Sequence, residues 1–282
     1  MTASQAGQLF VVATPIGNLS DFSERAIETL KSVDLIAAED TRHSKPLLQH
    51  FAITTPLLSL HEHNEQQRSE LLLQRLQAGE SIALISDAGT PLISDPGYRL
   101  VTLVKSHAIQ VVPVPGSCAL ITALSASGIA SDRFSFEGFL PPKSGARRQQ
   151  LSQLKNDQRT LIFYESPRRL LDTLNECIAI FGADRRACLA RELTKIHETI
   201  ETRSLQDLRD WVAADANQQR GECVLLIEGA SDVVTADEQQ MQRVLALLLA
   251  ELPVKKAAAI TAGITGCSKN DAYQLALKLQ QK

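Results

Sequence analysis

Residues 81–97 read SIALISDAGTPLISDPG, and the way that stretch divides decides the fold class. Ser81–Ser86 is an apolar run of strand length. The twelve residues from Ser86 to Gly97 hold two prolines, two glycines and two aspartates, a composition that makes tight turns. Gly97–Lys105 then reads as a helix. A short apolar strand, a Gly/Pro loop and a helix, in that order, form half of a βαβ unit. The same theme runs outward on both sides. Leu9–Ala13 (LFVVA), Asp34–Ala38 (DLIAA) and Ile109–Val114 (IQVVPV) are further strands. Helices are predicted from Ser23, with Ala26, Ile27 and Leu30 on one face, around Leu71, Leu72 and Leu76, and over Ser117–Ser125 up to Gly128. Residues 1–130 are therefore expected to form an α/β domain with a mostly parallel sheet.

A second α/β domain is predicted over 131–232, with strands at Phe134–Leu140, Thr160–Tyr164, Arg186–Glu192, His197–Arg203 and Glu222–Glu228. Helices fall at Ala146–Leu154, Pro167–Phe181 and Leu205–Ala213, an order that implies antiparallel pairs. From 233 to 282 the character changes. Helices are broken by Pro253, restarted from Lys255, stopped at Gly266 and capped by Ser268 with Asp271 three residues on, which reads as a three-helix appendix.

Composition narrows the function. With 44% hydrophobic and 22% charged residues over 282 positions, the chain has the make-up of a globular protein that buries real cores. No apolar run reaches bilayer length and the opening MTASQAGQLF lacks the pattern of a signal peptide, so a soluble cytoplasmic protein is expected, with no membrane partner. The five cysteines are too scattered for a disulfide framework or a CxxC site, and His61 and His63 have no further ligands nearby; no metal is implied. No two glycines stand two residues apart, which removes the GxGxxG dinucleotide fingerprint, and neither a phosphate loop nor a GxSxG elbow occurs.

The net charge of −3 hides a polarisation: residues 141–170 carry +5, residues 241–282 carry +4, and the remainder −12. Lys143, Arg147 and Arg148 in the first tract, and Lys255, Lys256 and Lys269 in the second, are candidate contacts to a polyanion, because phosphates are held mainly by lysine and arginine. In open α/β sheets ligands bind beyond the carboxyl ends of the strands. Here those ends read Thr14–Asn18, Glu39–Arg42, Ser86–Pro91 and Pro113–Ser117, where glycine and proline make close turns and Asp, Ser and Thr supply hydrogen bonds.

The motifs ATPIGNL, AAEDTRH, SDAGTPLISDPG, VPGSCALITALSASG, FEGFLP, TLIFYESPRR, LARELTK and GECVLLIEG occur in this order. Together they closely resemble the family of small-subunit ribosomal RNA methyltransferases I within the tetrapyrrole methylase superfamily. The resemblance implies two α/β domains with a cleft for S-adenosylmethionine between them, in a homodimer. It further implies methyl transfer to the ribose 2′-hydroxyl of a cytidine in the decoding region of 16S rRNA, as naked RNA or in the small ribosomal subunit. Carried onto this chain, it places Gly17, Asn18, Asp87, Gly89, Thr90, Ser117 and Cys118 on the cofactor from the first domain, and Tyr164 and Cys223 from the second; a proline or another small residue is the family's expectation at Ser117. A 2′-hydroxyl needs a proton acceptor, for which Asp40 and Glu192 are candidates, with Lys195, Arg42 and Arg191 as electrostatic or phosphate-holding neighbours. An Arg191–Glu192 structural pair is an equal alternative. Methylation of a small tetrapyrrole, or a non-catalytic RNA-binding assembly factor, are the rival functions.

Overall fold

The computed structural model describes residues 6–230 and 236–280, without the side chains of 236–239 and 280; the opening MTASQ, the 232/233 boundary and Lys282 lie outside the described residues. Five parallel strands, β1 (Leu9–Val12), β2 (Leu35–Ala38), β3 (Leu57–Ser59), β4 (Ile82–Ile85) and β5 (Val111–Val114), form the first sheet in the order β3-β2-β4-β1-β5. β2 and β4 are buried along their whole length, which is why they read as unbroken apolar runs rather than alternating ones. Alternate residues feed two cores. Leu9, Leu35, Ile82 and Leu84 meet α3 (Glu65–Gln77) and α4 (Tyr98–Ser106); Val12, Ile36, Ala83 and Ile85 meet α1 (Glu24–Ser32) and α2 (Thr41–His50). Each fully buried Leu or Ile contributes about 1.5–3 kcal/mol. The α2 and β3 elements add to the pattern read from sequence. Pro46 stands inside α2, and β3 is three residues long, so neither carries a periodic signal.

The second sheet has β6 (Phe134–Phe139), β7 (Thr160–Glu165), β8 (Arg186–Arg191), β9 (Thr199–Ser204) and β10 (Cys223–Ile227) in the order β6-β7-β10-β8-β9. Only the β6/β7 pair is parallel. One face packs under α6 (Ser144–Gln153), α7 (Leu170–Phe181) and α8 (Leu205–Ala214). The other is covered by α5 (Ala119–Ala126) of the first lobe, whose Leu120, Ala123 and Leu124 meet Ile162, Ala190, Val224 and Leu226. This shared core joins the two lobes, and residues up to Lys155 with Arg159–Gly229 form one compact unit. The expected 130/131 boundary falls inside this one unit, in the chain 127–133 between α5 and β6.

A second unit comprises Asn156–Gln158 and the residues from Ala230 on. Its helices α9 (Ala236–Leu249), α10 (Val254–Thr265) and α11 (Lys269–Gln280) share a small core of Met241, Leu245, Ala257, Ala258, Ala262, Ala272 and Ala276. Gly266, at φ +74°, ends α10 in the left-handed conformation that suits glycine, and Ser268 Oγ accepts the Asp271 N–H at 3.1 Å to start α11.

Candidate active site

The loops that leave β1, β2, β4 and β5 are tied to one another at the carboxyl edge of the first sheet. Thr14 and Gly89 exchange two backbone hydrogen bonds, 2.8 and 3.0 Å, and Gly89 takes φ +86°. Thr90 Oγ1 donates to the Ser117 carbonyl at 3.0 Å, and the Asp40 N–H donates to Asp87 Oδ1 at 3.1 Å. The Leu92–Gly97 segment is wound tightly, with positive φ at Leu92, Ser94 and Gly97. Its far end is held by Glu65, whose buried Oε1 accepts the Gly97 and Arg99 N–H groups at 2.9 and 3.0 Å.

These loops and the facing ends of β7 and β10 enclose a cavity of about 390 Å³, inside the range of small-molecule sites. Ile16, Ile93, Cys118, Ala119, Leu193 and Val224 give it apolar walls, and Phe139 and Tyr164 give aromatic ones. Glu39, Asp87 and Asp95 line one side and Glu165 and Glu222 the other; among the described residues that line it there is no Lys, Arg or His. Burial, then the neighbouring Glu39 and Asp87 charges, pushes the Asp95 carboxyl up to about 7 against a hydrogen bond from Ser86. Burial and Asp87 raise Glu39 as well. Burial drives Tyr164 above the usual phenol range and the Cys223 thiol up to about 12, so both stay neutral. Glu165 is satisfied by the Ser166 N–H, Thr173 Oγ1 and Arg169 Nη2, each at 2.7 Å.

The tetrapyrrole (corrin/porphyrin) methylase family matches residues 8–209, and the RsmI C-terminal HTH domain matches 235–280. The chain belongs to the tetrapyrrole methylase family. It is 59% identical to ribosomal RNA small subunit methyltransferase I of Pseudomonas aeruginosa over 98% of this chain and 99% of that protein. Its identity to the protein of the same name from Escherichia coli O157:H7 is 55% over 97% and 96%. The crystal structure of the methyltransferase CobJ is 17% identical and superposes with a TM-score of 0.60 over 80% of this chain and 95% of that one, a likeness of fold.

In this tetrapyrrole methylase family member, six of the residues expected on the cofactor line the cavity: Asp87, Gly89, Thr90, Cys118, Tyr164 and Cys223. Gly17, Asn18 and Ser117 do not. Gly17 is a packing site, since a Cβ there would stand 2.5 Å from Lys195 Cγ, and Asn18 Oδ1 caps a 3-10 turn by accepting the Ser20 N–H. Ser117 contributes its carbonyl to the loop tie. Asp40 does not line the cavity either; it caps α2 and pairs with Arg42 at 2.7 Å, and those bonds hold its carboxyl well below the usual range. Glu192, at φ +50°, pairs with Lys195 at 2.9 Å and accepts the Glu222 N–H at 2.9 Å. Burial works against its ionised form, but the Lys195 ammonium prevails and keeps the carboxyl below normal. The expected alternative partner, Arg191, instead donates to Gln218, His197 and Thr199.

Glu39, Asp95 and Glu165 are lining acids that the sequence reading did not single out, although all three sit in segments it quoted. Among the basic candidates, Arg147 departs from the expected surface role. Its side chain is 4% exposed and forks onto Glu176 at 2.7 and 3.0 Å, a buried pair joining α6 to α7. Lys143, Arg148, Lys255, Lys256 and Lys269 are exposed, as is Arg42.

Proposed function

We propose that this chain transfers a methyl group from S-adenosylmethionine to the ribose 2′-hydroxyl of a cytidine in the decoding region of 16S rRNA, in the cytoplasm, as a homodimer acting on rRNA or the small ribosomal subunit. The observation that carries the donor is the cavity's charge: among the described residues it is lined by carboxylates and by no cation. A phosphate-bearing cofactor would meet repulsion from Glu39, Asp87 and Asp95 there, whereas the net positive charge of a sulfonium with an α-ammonium and an α-carboxylate favours the ionised forms of Glu39 and Asp95 that burial and their neighbours oppose. The names of the relatives support RNA as the acceptor, as do the exposed cations Arg42, Lys143, Arg148, Lys255, Lys256 and Lys269. A small tetrapyrrole acceptor gives those cations no task.

S-adenosylmethionine, when bound, supplies an electrophilic methyl on a cationic sulfur. Asp87, Gly89, Thr90, Cys118, Tyr164 and Cys223 would hold it, the acidic side offsetting its charge and the apolar wall excluding water. Fixing donor and hydroxyl in line is worth effective molarities of about 10⁵ M or more. Of the carboxylates considered, Asp95 is the one poised to take a proton near neutral pH; Asp40 and Glu192 are committed to Arg42 and Lys195. Lys195, bonded to Glu192 and Glu222 at 2.9 and 3.0 Å, then acts as a positioning residue for the lining residue Glu222.

The test is direct. Purified protein should bind methyl-labelled S-adenosylmethionine and pass the label to rRNA in small subunits, with Asp87→Ala weakening donor binding by calorimetry. Label that never reaches RNA, or unchanged donor affinity in that variant, defeats the assignment. Light scattering should give twice the monomer mass at micromolar concentration; the monomer mass would remove the homodimer.

A further inference from the structure

At the mouth of the cavity stands Phe139, the last residue of β6. It is 57% exposed in a chain with 4% aromatic residues, and it also lines the cavity. Its direction is set by a β-bulge. The register of β6 on β7 shifts between Phe136, opposite Ile162, and Gly138, opposite Phe163, leaving Glu137 as the extra residue. In a regular strand Phe136 and Phe139, three residues apart, would point to opposite faces. The inserted residue brings both to the face of Tyr164, whose ring they meet edge-on at 4.8 and 5.6 Å. Bulges beside active sites re-aim side chains in this way. Gly138 takes φ +68°, and Ser94 of the acidic rim loop lies 3.8 Å from where its Cβ would be, so the bulge borders that rim.

Nothing in folding favours an exposed phenyl ring here, since the core under this face is completed by Phe136 and Tyr164. The surroundings select the occupant. The two strands that end at this mouth run on into exposed cations: β6 leads to Lys143, and β7 leads through the lining residues Ser166 and Pro167 to Arg168. An exposed aromatic face on strands that lead within a few residues to cations, over a cavity that itself repels phosphate, matches a nucleotide whose base stays outside and whose backbone lies along the rim.

The geometry points to Phe139 as the platform on which the nucleobase of the acceptor nucleotide stacks, with its phosphates toward Lys143 and Arg168 and its ribose turned into the cavity. This rests on the methyl-transfer reading above and gives the acceptor a place. A nucleotide paired in a helix cannot present its ribose to a closed cavity, and stacking on Phe139 offsets part of the cost of drawing it out.

Phe139→Leu keeps apolar bulk and removes the aromatic face; Phe139→Trp enlarges that face. The expected result is a drop of about tenfold or more in kcat/KM for rRNA methylation in the leucine variant, since base–aromatic stacking is sequence-tolerant but strong. Its thermal midpoint should match the parent and its S-adenosylmethionine affinity should fall by much less than the rate does, and the tryptophan variant should recover the rate. A Phe139→Trp, Trp211→Phe protein should show quenching of its single indole when a single-stranded rRNA fragment is added. A leucine variant within twofold of the parent, equal loss of donor affinity, or an unquenched indole each overturn the assignment. If the parent binds the donor yet transfers no label to RNA, it is the methyl-transfer reading that fails, and the platform falls with it.

Discussion

Glu65 offers the sharpest test of how the acidic rim is held. It is the first residue of α3, only 7% exposed, and one of its oxygens takes two backbone N–H groups from the start of α4, 32 and 34 residues away. Glu65→Gln keeps an oxygen acceptor but removes the negative charge from the N-terminus of α4, a loss of about 1 kcal/mol. Glu65→Ala removes both hydrogen bonds and strands the Gly97 N–H in a buried position, which costs about 2–3 kcal/mol. Hydrogen exchange of a peptide covering 97–104 reads these values as local opening. At tenfold per 1.4 kcal/mol, exchange should quicken about fivefold in the glutamine variant and about 30- to 150-fold in the alanine variant. S-adenosylmethionine affinity should fall in the same order, because Asp95 rides on the loop that Glu65 ends. Exchange in the alanine variant equal to the parent's would refute the tether. Glutamine as damaging as alanine would show that charge, and not the pair of hydrogen bonds, holds the loop.

Three further outcomes are expected. Arg147→Met should lower stability by about 2–4 kcal/mol in a melt by leaving Glu176 without its buried partner, and leave RNA binding unchanged at every salt concentration; Arg148→Ala should keep the melt and reduce the log–log salt slope by about 0.7. Gly17→Ala should destabilise by about 1–3 kcal/mol through its collision with Lys195, and a double-mutant cycle with Lys195→Ala should recover most of the loss. Donor binding at pH 7 should release protons, measurable by calorimetry in buffers of different ionisation enthalpy, because a cation beside Asp95 lowers a carboxyl that burial and its acidic neighbours hold near 7; the release should vanish at pH 9, where Asp95 is already ionised, and in Asp95→Asn.

Every strand but β3, and most helices, could be read directly because local chemistry fixes them: apolar runs such as Ile82–Ile85 end on Gly/Pro loops, and Ser23, Ser268 and Gly266 mark helix ends on their own. What stayed hidden depended on side-chain pairings and burial that only the folded chain supplies. Arg147 belongs to a basic tract, and only Glu176, 29 residues later, turns it inward. Asp40 looks like a base until Arg42 folds back on it, while Asp95, in the same quoted loop as Asp87, gains its character from burial and then from Glu39 at the end of the neighbouring strand β2. The bulge that turns Phe139 needs β7 beside it before it exists.

The placement of α5 bears on how the chain is made. This helix is complete once residue 126 has been synthesised, yet the apolar face made by Leu120, Ala123 and Leu124 packs against strands that end only at Ile227. At translation rates of about 5–20 residues per second, that face waits roughly 5–20 s for its sheet. During that interval the nascent first lobe carries a greasy helix with nothing to cover it, which is the moment at which a chaperone has something to hold. A fragment ending near Ser127 would keep that exposure permanently, so the first lobe is a poor candidate for separate expression even though its own sheet is complete.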